Sequence, residues 1–207
     1  PCGGFARVVL LVPVVSVTVM APTLERWSAL QASSGGKTPG GRAVRPATVP
    51  GMTVVRRAVP DDAQEVLRLR QVMIDSMARS DPSRAWHAEA LPVLRARLAE
   101  PDGPFAAFVV DHPRRPGALA TLVAGSLEYR IGGARNPLGT DGYVFSVATD
   151  PDARRRGYAR ACVEALLEWF REHGAKRVRL TASSQAEPLY RELGFARRPD
   201  PLLELTL

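Results

Sequence analysis

The stretch from Tyr143 to Gly174, YVFSVATDPDARRRGYARACVEALLEWFREHG, constrains the fold more than any other part of the chain. A short apolar run, Tyr143 to Ala148, reads as a strand, and Asp150-Pro151 turns the chain. A glycine-and-arginine loop, Arg154 to Ala159, follows, and a long amphipathic helix completes the unit. The loop therefore sits at a helix N-terminus, where first-turn N–H groups have no partner inside the helix and the macrodipole is positive. Gly157 lets the backbone approach a ligand without a Cβ in the way, and the small Ala159 keeps that approach open. Arg154, Arg155, Arg156 and Arg160 add charge that a phosphate can use. The loop is a candidate pyrophosphate cradle; stripped of context, it also reads as a solvated basic turn.

Two better-known cradles are excluded. Ser34-Gly35-Gly36-Lys37-Thr38 imitates the end of a Walker loop but lacks its earlier glycine and has no helix behind it. The dinucleotide fingerprint G-x-G-x-x-G is absent.

Arg154-x-x-Gly157-x-Ala159 after a strand ending near Asp-Pro resembles the hallmark of the GCN5-related N-acetyltransferase superfamily, Q/R-x-x-G-x-G/A. A second mark lies downstream: Ser183-x-x-Ala186-x-x-Leu189-Tyr190 followed by Leu193-Gly194-Phe195, with Ser183 where the superfamily usually has Asn. The resemblance covers roughly Met52 to Leu207 and is strongest from Tyr143 onward.

The resemblance implies an α/β (α+β) fold with a twisted, mixed, mostly antiparallel central sheet flanked by helices on both faces. It implies acetyl-coenzyme A as cosubstrate and transfer of acetyl to a primary amine of a small molecule, directly in a ternary complex. A homodimer is expected at the family level only. Carried over by motif position, Val147, Ala148 and Thr149 lend backbone groups to the pantetheine arm and thioester oxygen. Arg154, Arg155, Arg156, Gly157, Tyr158 and Ala159 seat the pyrophosphate. Ser183 takes the place of the pantetheine-contacting Asn with a shorter side chain. Tyr190 is the expected proton source for the departing thiolate, since a phenol is still protonated at neutral pH.

Charge bears on the competing readings. The 207 residues carry a formal charge of +7, but residues 1 to 51 hold five Lys/Arg and one Asp/Glu, leaving 23 against 20 for the remainder. That balance lacks the concentrated basic surface of a nucleic-acid binder. Of the two cysteines, Cys2 lies in the leader and Cys162 on the apolar side of the long helix, so no disulfide is expected and a reducing, cytoplasmic setting fits. The apolar run Val8 to Ala21 is too short to span a membrane; it reads as non-native leader or as the core of an export signal. The following thirty residues are Gly, Ser, Pro and Arg without periodicity and read as disorder. The folded domain is expected from residue 52 to residue 207.

Within that domain Thr53 to Ala58 is expected as the first strand, followed by a helix from about Ala63 to Arg79. A second helix contains Trp86, Leu94 and Leu98, with Pro92 forcing a kink or a break. Phe105 to Asp111 and Leu119 to Tyr129 read as strands joined by a hairpin loop. Arg130 to Gly142 is too irregular for an element and is the candidate acceptor-facing lid. The long helix is expected to bury Ala161, Cys162, Ala165, Leu166 and Trp169. Lys176 to Ala182 reads as a strand, Ala186 to Leu193 as a short helix, and Leu203, Leu205 and Leu207 as part of closing strands.

The general base has two candidates, Glu128 at the end of the third strand and Asp141 beside the cofactor strand; each also reads as a solvated carboxylate. His87, His112 and His173 lack ligand spacing, so no metal is expected. A non-catalytic acyl-coenzyme A binding module is the second reading.

Overall fold

A computed structural model describes residues 54–77, 83–199, 203 and 205. The leader expected over residues 1 to 51, and Thr53 of the first strand, lie outside the described residues. One five-stranded sheet is built in the order β1 (Val55–Arg57), β2 (Phe105–Asp111), β3 (Leu119–Tyr129), β4 (Thr140–Thr149) and β5 (Val178–Leu180). The first four strands pair antiparallel and β5 joins β4 parallel, so the sheet is mixed and mostly antiparallel.

Helices cover both faces because the central strands bury alternate residues on opposite sides. In β2, Ala106 and Val110 join one core while Ala107 and Val109 join the other. The second core is closed by α1 (Ala63–Asp75), through Ala63, Val66 and Leu69, with Leu98 of α2 (Trp86–Leu98). The first is closed by α3 (Tyr158–Glu172) and by Tyr190 of α4 (Glu187–Glu192). No helix among the described residues is long and apolar enough to cross a membrane.

Local chemistry sets the boundaries. Before α1, Asp62 accepts from the Val59 amide at 2.8 Å, and Pro60 opens a single 3₁₀ turn. The helix stops at Asp75, where the Ser76 hydroxyl turns back to the Met73 carbonyl at 2.6 Å; Arg79, its expected end, lies outside the described residues. The expected break at Pro92 does not occur: α2 runs unbroken through it. Pro92 and Ala88, whose carbonyl loses its partner, are both exposed, so solvent replaces the missing bond.

In α3 the buried stripe is Cys162, Val163, Leu166, Trp169 and Phe170, while Ala161 and Ala165 lie half-buried at its edge. The larger side chains take the centre because Phe170 reaches the sheet where Gly125 and Gly142 leave room. A Cβ on either glycine would stand 2.8 Å from its ring. The closing strands are not formed by Leu203 and Leu205, which lie outside any strand and are exposed. Leu207 lies outside the described residues. Alternation marks a face, and among the described residues no strand edge pairs with it.

Candidate active site

The site begins with a mismatch along β4. Ala124 of β3 faces Ser146 while Gly125 faces Val144, so Phe145 is an extra residue in the ladder, a β-bulge. The parallel pairing with β5 covers only Gly142, Tyr143 and Val144. Among the described residues, β4 from Phe145 to Thr149 is therefore strand-paired on its β3 side alone, and, apart from the Thr149 carbonyl, its other edge is open to an extended ligand. Val147 is half-buried against the α3 core, whereas Ala148 is buried on the opposite face. The Ala148 carbonyl accepts from Thr121 Oγ1 at 2.8 Å, and Thr149 Oγ1 lies 2.8 Å from the same hydroxyl.

The open edge leads into the glycine-and-arginine loop. Arg155 and Gly157 both adopt left-handed backbone, with φ of 62° and 78°. Alternation of this kind turns successive amides towards one concavity. No side chain caps the helix that follows, and its first backbone bond runs from Ala161 N to Gly157 O at 3.0 Å. The amides of Tyr158, Ala159 and Arg160 are thus left without intrahelical acceptors. Arg154 Nε donates to the Thr149 carbonyl at 3.3 Å, and Arg154, Arg155, Arg156 and Gly157 are all exposed. Arg160 instead pairs with Glu192 of α4 and, at 3.9 Å, with Glu164.

Tyr190 is buried in the core that also holds Val144, and Val147 and Tyr158 pack against that core. Phe195 meets its ring edge-on, with centroids 5.8 Å apart. Burial pushes the Tyr190 phenol above its ordinary range, which keeps it protonated at neutral pH. The Ser183 hydroxyl accepts from the Ala186 amide at 3.3 Å and so helps start α4. Tyr190 thus shares one core with Val147 of the β4 edge and Tyr158 at the start of α3.

Glu128 and Asp141 lie towards the other end of β4. They face each other across β3 and β4 and share Arg179, at 2.8 Å and 3.2 Å. Arg177 holds the fully buried Asp141 as well, at 3.0 Å, and Asn136 of the preceding loop donates to it at 3.1 Å. The loop expected to be irregular gives up Thr140 to Gly142 to β4, leaving residues 130 to 139 as the connection.

A cavity of about 520 Å³ opens on the other side of the bulge, between α1, α2 and the sheet. Its apolar walls include Leu67, Trp86, Val93, Leu94, Phe105 and Phe145. Arg70, Glu89, Arg97 and Ser146 supply its polar groups, and Glu89 is its one carboxylate among the described residues. Sequence reasoning placed Trp86 and Leu94 on a helix but assigned none of these residues to a site. They come from four elements, α1, α2, β2 and β4, and the bulge lies where β4 meets the cavity.

Two other groups are chemically occupied or inert. His112, Asp150 and Asp152 offer ligand atoms within 4.8 Å of one another, but Arg68 and Arg115 hold Asp150 while Arg114 and Arg115 hold Asp152. A cation there competes with three guanidinium groups. Burial pushes the Cys162 thiol up to about 12, so it is no thiolate nucleophile at neutral pH.

Comparison with known proteins places this geometry. A GCN5-related N-acetyltransferase from Ralstonia eutropha JMP134 is similar at 24% identity and a TM-score of 0.62, over 74% of this chain and 99% of that one. A predicted acetyltransferase from Clostridium acetobutylicum, solved with acetyl-CoA, is similar at 19% identity and a TM-score of 0.64, over 75% and 96%. An aminoglycoside acetyltransferase from an uncultured soil metagenomic sample is similar at 16% identity and 0.57, over 77% and 99%. No protein of curated function matches the sequence significantly. The sequence profile of the acetyltransferase (GNAT) family, however, matches residues 72–195, which span the cavity helix, the bulged strand, the loop and Tyr190. On that match and that shared scaffold, the chain belongs to the GNAT family of acetyltransferases.

Proposed function

We propose that the protein transfers acetyl from acetyl-coenzyme A to a primary amine of a small molecule, with both substrates bound at once. The observation that carries this reading is the open edge of β4 from Phe145 to Thr149, which runs straight into the uncapped start of α3 at Gly157. The pantetheine arm lies along that edge, and the pyrophosphate is received by the loop amides with Arg154, Arg155 and Arg156 around them. The acetyl-CoA bound by the Clostridium relative supports this donor, and the aminoglycoside substrate class of the metagenomic relative supports an amine acceptor.

In this reading the acceptor occupies the cavity behind Phe145. Its nitrogen lone pair attacks the thioester carbonyl carbon while a backbone N–H of Val147, Ala148 or Thr149 stabilises the oxygen. The C–S bond breaks, and Tyr190 gives its proton to the leaving sulfur. The proton lost by the amine passes to a carboxylate. Glu128 and Asp141 are already held by arginines, so Glu89, on the cavity wall, is the better placed acceptor directly or through water.

The test is release of free thiol from acetyl-coenzyme A across a panel of amines. Tyr190→Phe is expected to slow release by about 100- to 10,000-fold while leaving coenzyme A affinity, read by calorimetry, unchanged. Binding without thiol release for any amine would instead support a non-catalytic acyl-coenzyme A module.

A further inference from the structure

The cavity behind Phe145 has a charge that its own walls do not balance. Arg70 is half-buried and donates through Nη1 to Ser146 Oγ at 2.6 Å. Among the described residues, no carboxylate lies within ion-pair distance of its guanidinium. Its neighbours are treated differently: Arg68, on the same helix, is held by Glu65 at 2.8 Å and Asp150 at 2.7 Å. Arg179 is held by Glu128 and Asp141. A guanidinium has five N–H donors in a rigid fork, so Arg70 retains donors suited to a planar carboxylate. Removing a cation from water without a counter-ion is unfavourable, and an anionic ligand relieves that cost.

The rest of the cavity defines what the anion is attached to. Trp86, Phe105 and Phe145 supply aromatic walls, with Phe105 and Phe145 centroids 6.1 Å apart. A volume of about 520 Å³ holds a compact apolar group of drug-fragment size. Ser146 precedes Val147 in the chain, so Arg70 grips β4 one residue, about 3.8 Å of backbone, from the position expected beside the thioester. An anion on Arg70 is therefore close to the attacking nitrogen, as a carboxylate is when both are borne by one carbon.

We propose that the acceptor is an α-amino acid with an apolar, aromatic side chain, its carboxylate held by Arg70 and its side chain lodged between α2 and Phe145. This rests on the acetyltransferase reading and names the substrate class for it.

The test compares L-phenylalanine with phenethylamine, which has the same amine and ring but no carboxylate. Thiol release is followed for the wild type, Arg70→Gln and Arg70→Lys. The wild type is expected to favour phenylalanine in kcat/KM by about 10- to 100-fold, chiefly through KM. In Arg70→Gln the ratio falls to near one, and Arg70→Lys restores part of it. Each ratio is taken within one protein sample, so partial misfolding of a variant does not move it. Binding of phenylalanine to the full chain with coenzyme A present is measured by calorimetry in parallel, and is expected to be lost in Arg70→Gln. Acetylation of phenethylamine as fast as phenylalanine, or a ratio unmoved by Arg70→Gln, overturns this proposal and leaves the acetyltransferase reading intact. Arg70-dependent phenylalanine binding without thiol release from any amine overturns the acetyltransferase reading and retains the carboxylate site. Absence of both binding and transfer of phenylalanine overturns the proposal outright.

Discussion

Arg160, in the first turn of α3, is ion-paired with Glu192, two residues beyond Tyr190 on α4. The pair links the uncapped end of α3 to the helix that carries the Tyr190 phenol. Both side chains are substantially exposed, at 38% and 63%, so the link contributes only about 0–1 kcal/mol to folding. Glu192→Ala is expected to leave the urea midpoint nearly unchanged while lowering kcat for thiol release more than it raises KM for the donor. A fall in unfolding free energy above about 2 kcal/mol would show that the pair braces the fold.

Gly157 is required for its backbone angle rather than for space. Its φ is 78°, yet a Cβ there meets nothing within 4 Å. Gly157→Ala is expected to cost about 1–2 kcal/mol of stability and to weaken coenzyme A binding, read by thermal melting and calorimetry. Gly157→Asn, which tolerates left-handed backbone better, is expected to keep more of both.

Gly142 and Gly125 both face Phe170 but differ in what else stands nearby. A Cβ on Gly142 has ring atoms of Phe170 as its nearest neighbours, from 2.8 Å, whereas one on Gly125 also meets the Tyr143 carbonyl at 2.8 Å. Each Gly→Ala change is expected to cost about 1–3 kcal/mol. Adding Phe170→Leu should offset part of the loss at Gly142 and little at Gly125, a difference that double-mutant cycles of urea unfolding measure.

Asp152 gives the fold a defined acid dependence. Its hydrogen bond with His112 Nε2 at 3.0 Å, helped by Asp150 and by the charge of Arg115, outweighs desolvation and pulls the carboxyl down to about 2. A carboxyl depressed in the native state stabilises it above the ordinary aspartate pKa of about 4, and that contribution is lost as pH falls towards 2. Asp152→Asn is expected to be less stable than the wild type at pH 5 to 7. The two urea midpoints should converge between pH 4 and pH 2.

The hairpin was legible because its determinants are local. Phe105–Asp111 and Leu119–Tyr129 are long apolar runs with a Pro- and Gly-containing loop between them, and the structure keeps both boundaries. The loop and long helix were equally readable, since a glycine before an amphipathic pattern fixes a helix start without tertiary help. Other features depend on partners that no window contains. The end of α1 turns on one Ser76 hydroxyl, and the three-residue β5 on how far β4 stays flat. The bulge arises where Gly125 and Ala124 meet Val144 and Ser146, a register that only pairing defines. Arg70, Glu89 and Trp86 reach one cavity from two helices, so their association appears only once α1 and α2 are packed.

The two cores lie on opposite faces of one sheet, one behind the open edge of β4 and the loop, the other beneath α1 and α2. Substitutions on the α2 wall of the chamber, at Trp86 and Leu94, therefore act on a layer separate from the packing beneath Gly157 and the start of α3. Under the proposed reading, such an arrangement lets descent with modification exchange one nucleophile for another while the residues assigned to the acyl carrier are inherited intact.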